Sequence, residues 1–353
     1  MNGSKKIISI VGARPQFIKL APLSEKLSRY HNELIVHTGQ HYDKQMSDSF
    51  FDDLRIKKPA YNLNIGSGRH GAQTGQMMEK IEEVLINEKP DLAIVFGDTN
   101  STLAGAIAAA KLNIKVVHVE AGLRSFNRTM PEEINRIATD HVSDCLFAPT
   151  PTAMEILSHE GLAEKSYLTG DIMVDTVKRN IQFALQKSDL SKKINLPKNY
   201  YLLTLHRPYN VDEPKMLKKI LTILSQLDCQ VVFPVHPRTR KMIDEIEAFS
   251  VKNILFIEPQ GYLNFLNLQA GAHKIITDSG GIQKEAYILK KPCITLRPET
   301  EWTETVSEGW NLLLNPETDL TTDRIIDFVP PEKHPDIFGN NITEKMVEII
   351  NKV

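Results

Sequence analysis

The sequence predicts an α/β protein built from two parallel-sheet domains, and three observations carry that prediction. Its 353 residues exceed what one hydrophobic core usually serves, so two domains of roughly 150 to 200 residues each are expected. Short apolar runs recur along the chain, each followed by a polar-apolar helical pattern, and that alternation is how βαβ units around parallel sheets read. A polar stretch with Pro197, QKSDLSKKINLPKN at 186–199, divides those runs into two sets and reads as a linker. The first domain is therefore placed at 1–185 and the second at 186–340.

In chain order, the first set comprises KIISIV, ELIVHT, DLAIVFG, KVVHVE, CLFAP and SYLTG. The second set comprises YYLLTLH, QVVFPVH, ILFIEP, KIITDS, PCITLR and NLLL. The last periodic stretch, ITEKMVEIINKV within 341–353, reads as a short helix whose domain periodicity alone leaves open. No repeat of fixed period and no low-complexity tract interrupts this pattern.

Composition narrows the function. A formal net charge of -2 leaves no general basic field for nucleic acid or anionic lipid, so any anion must be held by local clusters and the partner is expected to be small. No apolar run approaches the roughly 20 residues of a membrane span. MNGSKK leads into IISIV without a signal peptide's apolar core, and the expectation is a cytoplasmic protein. Cys145, Cys229 and Cys293 stand far apart in or beside apolar runs. Without CxxC or CxxH spacing they read as packed, reduced thiols rather than metal ligands.

In parallel α/β sheets ligands bind beyond the carboxyl ends of strands, so the polar residues just after strands are the ones to weigh. GARPQFIK places Arg14 at the turn after the first strand and Lys19 one helical turn on. It is not GxGxxG, and its glycine serves a tight turn with Pro15 suited to a first helical position. In FGDTNSTLAG, Asp98 ends a strand and Thr99 or Ser101 is placed to cap the helix. Asp98 itself reads either as a cap or as an acid facing a ligand. In HVEAGLRSFNRTMPEEINR, Pro131 opens a helix whose first-turn Glu132 and Glu133 suit the dipole, and Glu132 has i,i+4 spacing to Arg136. That leaves Glu120, which ends a buried strand beside Arg124 and needs a partner or a substrate.

The second half repeats the theme. His206 with Arg207, and His236 followed by PRTRK, end successive strands, and matched histidines beside arginines point to an anion site. TDSGGIQKEA puts Ser279, Gly280 and Gly281 at a helix start after Asp278. Exposed N–H groups there suit a phosphate, and Glu285 on the next turn would accept hydroxyls, so a ribose with a diphosphate satisfies both.

Taken in order, GARPQFIKLAPL, TGQH, GDTNSTLAG, HVEAGLRS, PEEINR, TGDIMVDT, LHRP, FPVHPR and TDSGGIQKEA resemble the non-hydrolysing UDP-N-acetylglucosamine 2-epimerases along essentially the whole chain. The resemblance implies two Rossmann-like domains of the glycosyltransferase-B type with the active site in the interdomain cleft. It also implies a terminal helix returning to the first domain, a homodimer, a UDP-sugar substrate and no cofactor or metal. It assigns Asp98, Glu120, Glu132 and His206 to catalysis with Arg14 and Lys19 nearby. It assigns His236, Ser279, Gly280, Gly281 and Glu285 to UDP, and Arg124, Arg136 and Arg207 are further candidates for substrate.

The residue types suit the chemistry. Carbon 2 of an acetamido sugar is not next to a carbonyl, so its proton is barely acidic. Anti elimination of UDP gives the anomeric carbon oxocarbenium character, acidifies C2–H and yields a 2-acetamidoglucal, and re-addition with protonation from the other face yields the epimer. Such a site needs cations and helix N–H groups for the diphosphate, and acids or bases on both faces of the sugar. No NAD is required, in keeping with the missing GxGxxG and downstream acid.

Departures from the family pattern widen the choice of sugar. Gln16 stands where common members carry glutamate, and Trp302 in LRPETEWTETVSEGWN where they carry arginine. With SGRHGAQTGQMM and RSFNRTMPEEINR, this is similar to the branch acting on UDP-2,3-diacetamido-2,3-dideoxyglucuronic acid. Arg124, Arg128, Arg69 or His70 would then meet the sugar carboxylate. After His41 the sequence diverges from the family's allosteric pattern beside TGQH. A glycosyltransferase of the same fold would need an acceptor site instead of acids for both faces of carbon 2, a hydrolysing epimerase would release UDP, and a catalytically dead sensor would not need the intact acidic set.

Overall fold

The computed structural model describes residues 3–40, 51, 54–187, 194–246 and 252–353. The chain falls into two compact units, residues 1–176 with 336–353, and residues 177–335. The division lies within the helix Met173–Lys187, ahead of the polar stretch 186–199 that reads as a linker. Two bonds hold the preceding segment in the first unit: Asp171 donates its amide to Phe338 O, and Thr176 Oγ1 donates to Ile18 O. Residues 188–193 of that stretch lie outside the described residues, as do 41–50, where the sequence leaves the family's allosteric pattern.

The first unit carries a parallel sheet of seven strands, β1 (Lys6–Val11), β2 (Asn32–His37), β3 (Tyr61–Asn62), β4 (Leu92–Phe96), β5 (Lys115–Val119), β6 (Cys145–Ala148) and β7 (Ser166–Leu168). Their order is β3-β2-β1-β4-β5-β6-β7. Ile7, Ile8 and Ile10 of β1 and Ala93, Ile94 and Val95 of β4 are fully buried, which is why these runs are apolar without alternation. Helix Asn100–Lys111 packs on this core through Ala104, Ala106, Ala108 and Ala109. The chain's last helix, Ile342–Ile350, lies against helix Arg14–Leu27. It is tied there by Lys26 Nζ to Glu344 Oε1 at 2.5 Å, and its first turn donates Thr343 N to Asp175 Oδ2 at 2.7 Å.

The second unit holds a six-stranded parallel sheet of β8 (Tyr200–Thr204), β9 (Gln230–Pro234), β10 (Ile254–Ile257), β11 (Lys274–Thr277), β12 (Cys293–Leu296) and β13 (Asn311–Leu314). Its order is β10-β9-β8-β11-β12-β13. All twelve strands read from the apolar runs form, and β3 is the addition. In both sheets the order reverses beside the first strand, between β1 and β4 and between β8 and β11, and such switch points open a crevice at the strands' carboxyl ends.

The three cysteines are free, and burial pushes the thiols of Cys145 and Cys293 up to about 12. Among the described residues, no helix is long and apolar enough to cross a membrane.

Candidate active site

In the first unit the polar residues gather after β4 and β5, one of them beside the switch point. Asp98 follows β4, but the helix that begins at Asn100 is capped by Thr99, whose side chain accepts from Thr102 N. Asp98 is therefore left to another use, and Arg136 takes it, with Nη2 at 2.8 Å and Nε at 3.2 Å from Oδ2. Burial alone would raise the Asp98 carboxyl. Arg136 and Lys19 outweigh that and hold it below the usual carboxylate range.

Glu120 follows β5 with φ of +75°, a left-handed conformation that costs a non-glycine residue on the order of 1–3 kcal/mol. Its carboxylate pairs with Lys19 Nζ from the helix Arg14–Leu27. A Cβ built on Gly97 would stand 3.1 Å from Lys19 Nζ and 3.4 Å from Glu120 Oε2. The Lys19–Glu120 pair therefore lies directly against the residue before Asp98.

The helix Pro131–Val142 is inverted in polarity. Its buried residues are Glu133, Asn135, Arg136, Thr139 and Asp140, while Ile134 and Val142 are exposed. Arg136 pairs with Glu133 at i,i+3, Nη1 to Oε2 2.8 Å, in place of the i,i+4 pair with Glu132. Glu133 also accepts the amides of Ser125 and Phe126, each at 2.9 Å. Glu132 is half-buried, and its carboxylate has no hydrogen-bond or ion-pair partner among the described residues. Arg124 is engaged on every side. Nε and Nη2 donate to Glu160 at 2.8 and 2.7 Å, and Nη1 lies 2.7 Å from Leu123 O and 2.8 Å from Asp140 Oδ2. All these partners belong to its own unit.

Gln16, where a carboxylate is common in the family, uses its whole amide. Oε1 accepts from Gly12 N and Ala13 N, and Nε2 donates to Phe96 O at 2.9 Å and Thr102 Oγ1 at 3.0 Å. The β1 turn is thereby fastened to the end of β4. Arg14 begins the helix of that turn, half-buried.

In the second unit the centre is Asp278, at the end of β11 and fully buried. It receives the amides of His206 and Arg207 at 3.1 and 3.0 Å and Asn210 Nδ2 at 3.0 Å. His206 Nδ1 lies 2.8 Å from Oδ1, while the histidine side chain is 56% exposed. Burial alone would raise the Asp278 carboxyl, but His206, Asn210 and the Arg207 amide together hold it below the usual range. A carboxylate only accepts, so Nδ1 carries the hydrogen of this bond. Nε2 of His206 has no partner among the described residues. Nε of Arg207 is buried and likewise without a hydrogen-bond partner among them.

The turn that the sequence offers for a phosphate lies at a helix start. Ser279 precedes the helix Gly280–Ile288 without capping it by its side chain. A Cβ on Gly280 would come within 2.4 Å of Glu301 Oε1, so a larger residue there would displace the Glu301 carboxylate. Gly281 is exposed. His236 caps the helix Pro237–Glu245, its Nδ1 accepting from Arg238 N at 3.3 Å. Glu285 does not project as a free acceptor. It is buried and accepts Gln269 Nε2 at 2.5 Å. Trp302 is buried too and forms the face over which Lys284 Nζ stands, 4.1 Å from the ring centroid.

Comparison with known proteins decides what this arrangement belongs to. Residues 25–349 match the family model described as UDP-N-acetylglucosamine 2-epimerase. The chain belongs to the UDP-N-acetylglucosamine 2-epimerase family. It is 49% identical to a UDP-N-acetylglucosamine 2-epimerase homolog of Methanococcus maripaludis, over 99% of this chain and 100% of that protein. It is 46% identical to the UDP-2,3-diacetamido-2,3-dideoxy-D-glucuronate 2-epimerase of Pseudomonas aeruginosa, over 89% and 90%. The crystal structure of the Methanocaldococcus jannaschii UDP-GlcNAc 2-epimerase in complex with UDP-GlcNAc and UDP matches with a TM-score of 0.89 at 44% identity, covering 99% of this chain and 100% of that one.

Three residues of this arrangement are not among the candidates that the sequence offers: Asp278, Asp140 and His118. Asp278 stands inside the TDSGG motif and was read only as its approach, although it orients His206. Its signal was a carboxylate ending an apolar strand, the same signal that marks Asp98. Asp140 and His118, which hold the turns of Asp98 and Glu120, carried no sequence signal beyond polar side chains in a strand and a helix.

Proposed function

We propose that the chain is a non-hydrolysing 2-epimerase of a UDP-2-acetamido sugar, interconverting UDP-N-acetylglucosamine and its C2 epimer by elimination and re-addition of UDP. A base removes the proton from C2 while the C1–O bond breaks with its electron pair going to the diphosphate, leaving 2-acetamidoglucal and UDP. A diphosphate oxygen then re-forms the bond to C1 as a proton reaches C2 from the opposite face. Oxidation state is unchanged overall, so the reaction calls for no redox cofactor.

The observation that carries this reading is the pair of carboxylates ending adjacent strands, each held against a cation: Asp98 by Arg136 and Glu120 by Lys19. In this reading Asp98, Glu120, Glu132 and His206 move the protons. Glu132 has the unpartnered carboxylate, and the Asp278 bond presents Nε2 of His206 in a fixed tautomer. Arg136, which holds Asp98, and Arg124, which pairs with Asp140 and Glu160, would stand beside the substrate. Arg14, Lys19, Arg207, His236, Ser279, Gly280 and Gly281 would receive the nucleotide and its diphosphate, and the unpartnered Arg207 Nε suits an anion. Glu285, which accepts Gln269 Nε2, would hold a ribose hydroxyl. A homodimer belongs to the same proposal, tested by the mass of the protein in solution.

A second sugar is carried by the 46% identity to the diacetamido-glucuronate epimerase and by Trp302. Its carboxylate would be met by Arg124 or by one of Arg69, His70 and Arg128, which are exposed. The test is proton NMR of the protein with each UDP-sugar in turn. A C2 epimer that retains UDP supports the reading and names the sugar. No epimer from either sugar defeats it, and stoichiometric release of UDP points instead to hydrolysis or transfer.

A further inference from the structure

Behind Asp98 and Glu120 lies a buried charged cluster that the proposed chemistry does not use. Asp140 is fully buried in the helix Pro131–Val142, and its carboxylate meets three residues of the stretch 118–124 at once. Oδ1 faces His118 Nδ1 at 2.6 Å, and Oδ2 accepts Gly122 N at 3.1 Å and faces Arg124 Nη1 at 2.8 Å. The other ring nitrogen of His118, Nε2, lies 2.7 Å from Gly97 O. One carboxylate therefore fixes the turn before Asp98, through His118 and Gly97. It also fixes the turn after Glu120 directly, through Gly122.

Buried ionic clusters are weak stabilisers compared with well-packed apolar side chains, because desolvation consumes most of the Coulomb gain. What such a cluster supplies is geometry. The same helix face carries Glu133, Arg136 and Asp140 at i, i+3 and i+7, one stripe by helical periodicity. Along it Glu133 holds the amides of Ser125 and Phe126, Arg136 holds the Asp98 carboxylate, and Asp140 holds the turn after β5 directly and the turn after β4 through His118. Glu120 sits in a left-handed conformation within this frame, a strain that persists only where neighbours over-determine it.

We propose that Asp140 and His118 are positioning residues that hold the Asp98 and Glu120 carboxylates in register for proton transfer. This rests on the reading of Asp98 and Glu120 as groups that touch the sugar. A misplacement of about 1 Å costs on the order of a hundredfold in rate, so the cluster should act on turnover rather than on binding.

The experiment compares Asp140→Asn and His118→Phe with wild type, using UDP-N-acetylglucosamine as substrate and UDP as the binding probe, at temperatures where each variant is shown to be folded. The expected result is a fall in kcat of about a hundredfold, with KM and UDP affinity within a few-fold of wild type. A second readout separates positioning from mere structure. Asp98 is faced by Arg136 from its helix, Lys19 from the helix Arg14–Leu27 and His118 from β5, with Glu120 and Glu133 behind those cations. His118 is among the groups that lower the Asp98 carboxyl, so the acid limb of kcat in His118→Phe should move to higher pH. Folded variants with kcat within threefold of wild type, or with the loss confined to KM, overturn the proposal. So does failure of both to fold, because the cluster is then a requirement of the fold. Glu120→Gln, assayed alongside, keeps the two readings apart: full turnover there defeats the catalytic reading itself, whatever the cluster variants do.

Discussion

His206 and Asp278 form a bond in which an exposed histidine is held by a fully buried aspartate: Nδ1 to Oδ1 is 2.8 Å, with the histidine side chain 56% exposed and the carboxylate not at all. The strands they follow, β8 and β11, are neighbours at the switch point of the second sheet. Asp278→Asn preserves shape but offers an N–H or a weaker acceptor to the ring, which loses its fixed tautomer. By analogy with other histidines oriented by a carboxylate, kcat should fall about 10²- to 10⁴-fold, and UDP affinity should change by no more than a few-fold. Steady-state kinetics and titration calorimetry check this, and a kcat near wild type would remove the dyad from the mechanism.

Arg136 governs the charge of Asp98. Burial favours the neutral acid, and Arg136 with Lys19 reverses that preference. Arg136→Met leaves Lys19 as the main counter-charge, so the Asp98 carboxyl rises and the acid limb of kcat/KM moves to higher pH, with activity recovering as pH increases. A pH profile superimposable on wild type would show that Asp98 need not be ionised for the reaction.

Gln16 offers a test of the first turn. Its Nε2 donates to Phe96 O and Thr102 Oγ1, and a glutamate would set an oxygen against the Phe96 carbonyl. Gln16→Glu should cost about 1–3 kcal/mol, the penalty for leaving a buried acceptor unpaired, read as a lower urea midpoint. An unchanged midpoint would mean that the Thr102 hydroxyl reorients to absorb the change.

The buried aspartates also set the acid limit of the fold. Asp140 and Asp278 have carboxyls held below their ordinary value, each by cationic or N–H partners that outweigh burial. A group depressed on folding contributes stability that is fully present above its unfolded value of about 3.9. That stability is lost as pH falls through the lower folded value. Asp140→Asn should therefore destabilise the protein by about 3–5 kcal/mol at neutral pH, as breaking a buried pair does, with the gap narrowing once wild type is protonated below the ordinary carboxylate range. Chemical denaturation at pH 7 and below pH 4 reads both limbs, and a gap constant with pH would contradict the linkage.

What could be read from the sequence follows a physical line. Strands covered on both faces announce themselves as apolar runs, so β1, β4 and their equivalents were legible, whereas β3, two residues pairing with Val36 and His37, is too short to carry a pattern. Residues that end strands were legible as a class, which brought out Asp98, Glu120 and His206. Partner choice was not. Spacing offers Arg136 both Glu132 and Glu133, because i,i+3 and i,i+4 lie side by side on a helix. Only the fold, by burying Glu133 and Arg136 together, decides between them. Asp140 reads as one more polar helix residue, since its partner His118 is 22 positions away and their meeting depends on how the helix packs over β5.

The central claim is that C2 loses and regains its proton while UDP is held, and the most direct measurement is NMR of the protein with UDP-N-acetylglucosamine, and separately with UDP-2,3-diacetamido-2,3-dideoxyglucuronic acid, in deuterium oxide. The account predicts solvent deuterium at carbon 2 of both the epimer and the recovered substrate, with UDP remaining bonded to sugar at equilibrium. Epimer formed with its original hydrogen at carbon 2, or no exchange with either sugar, would contradict it.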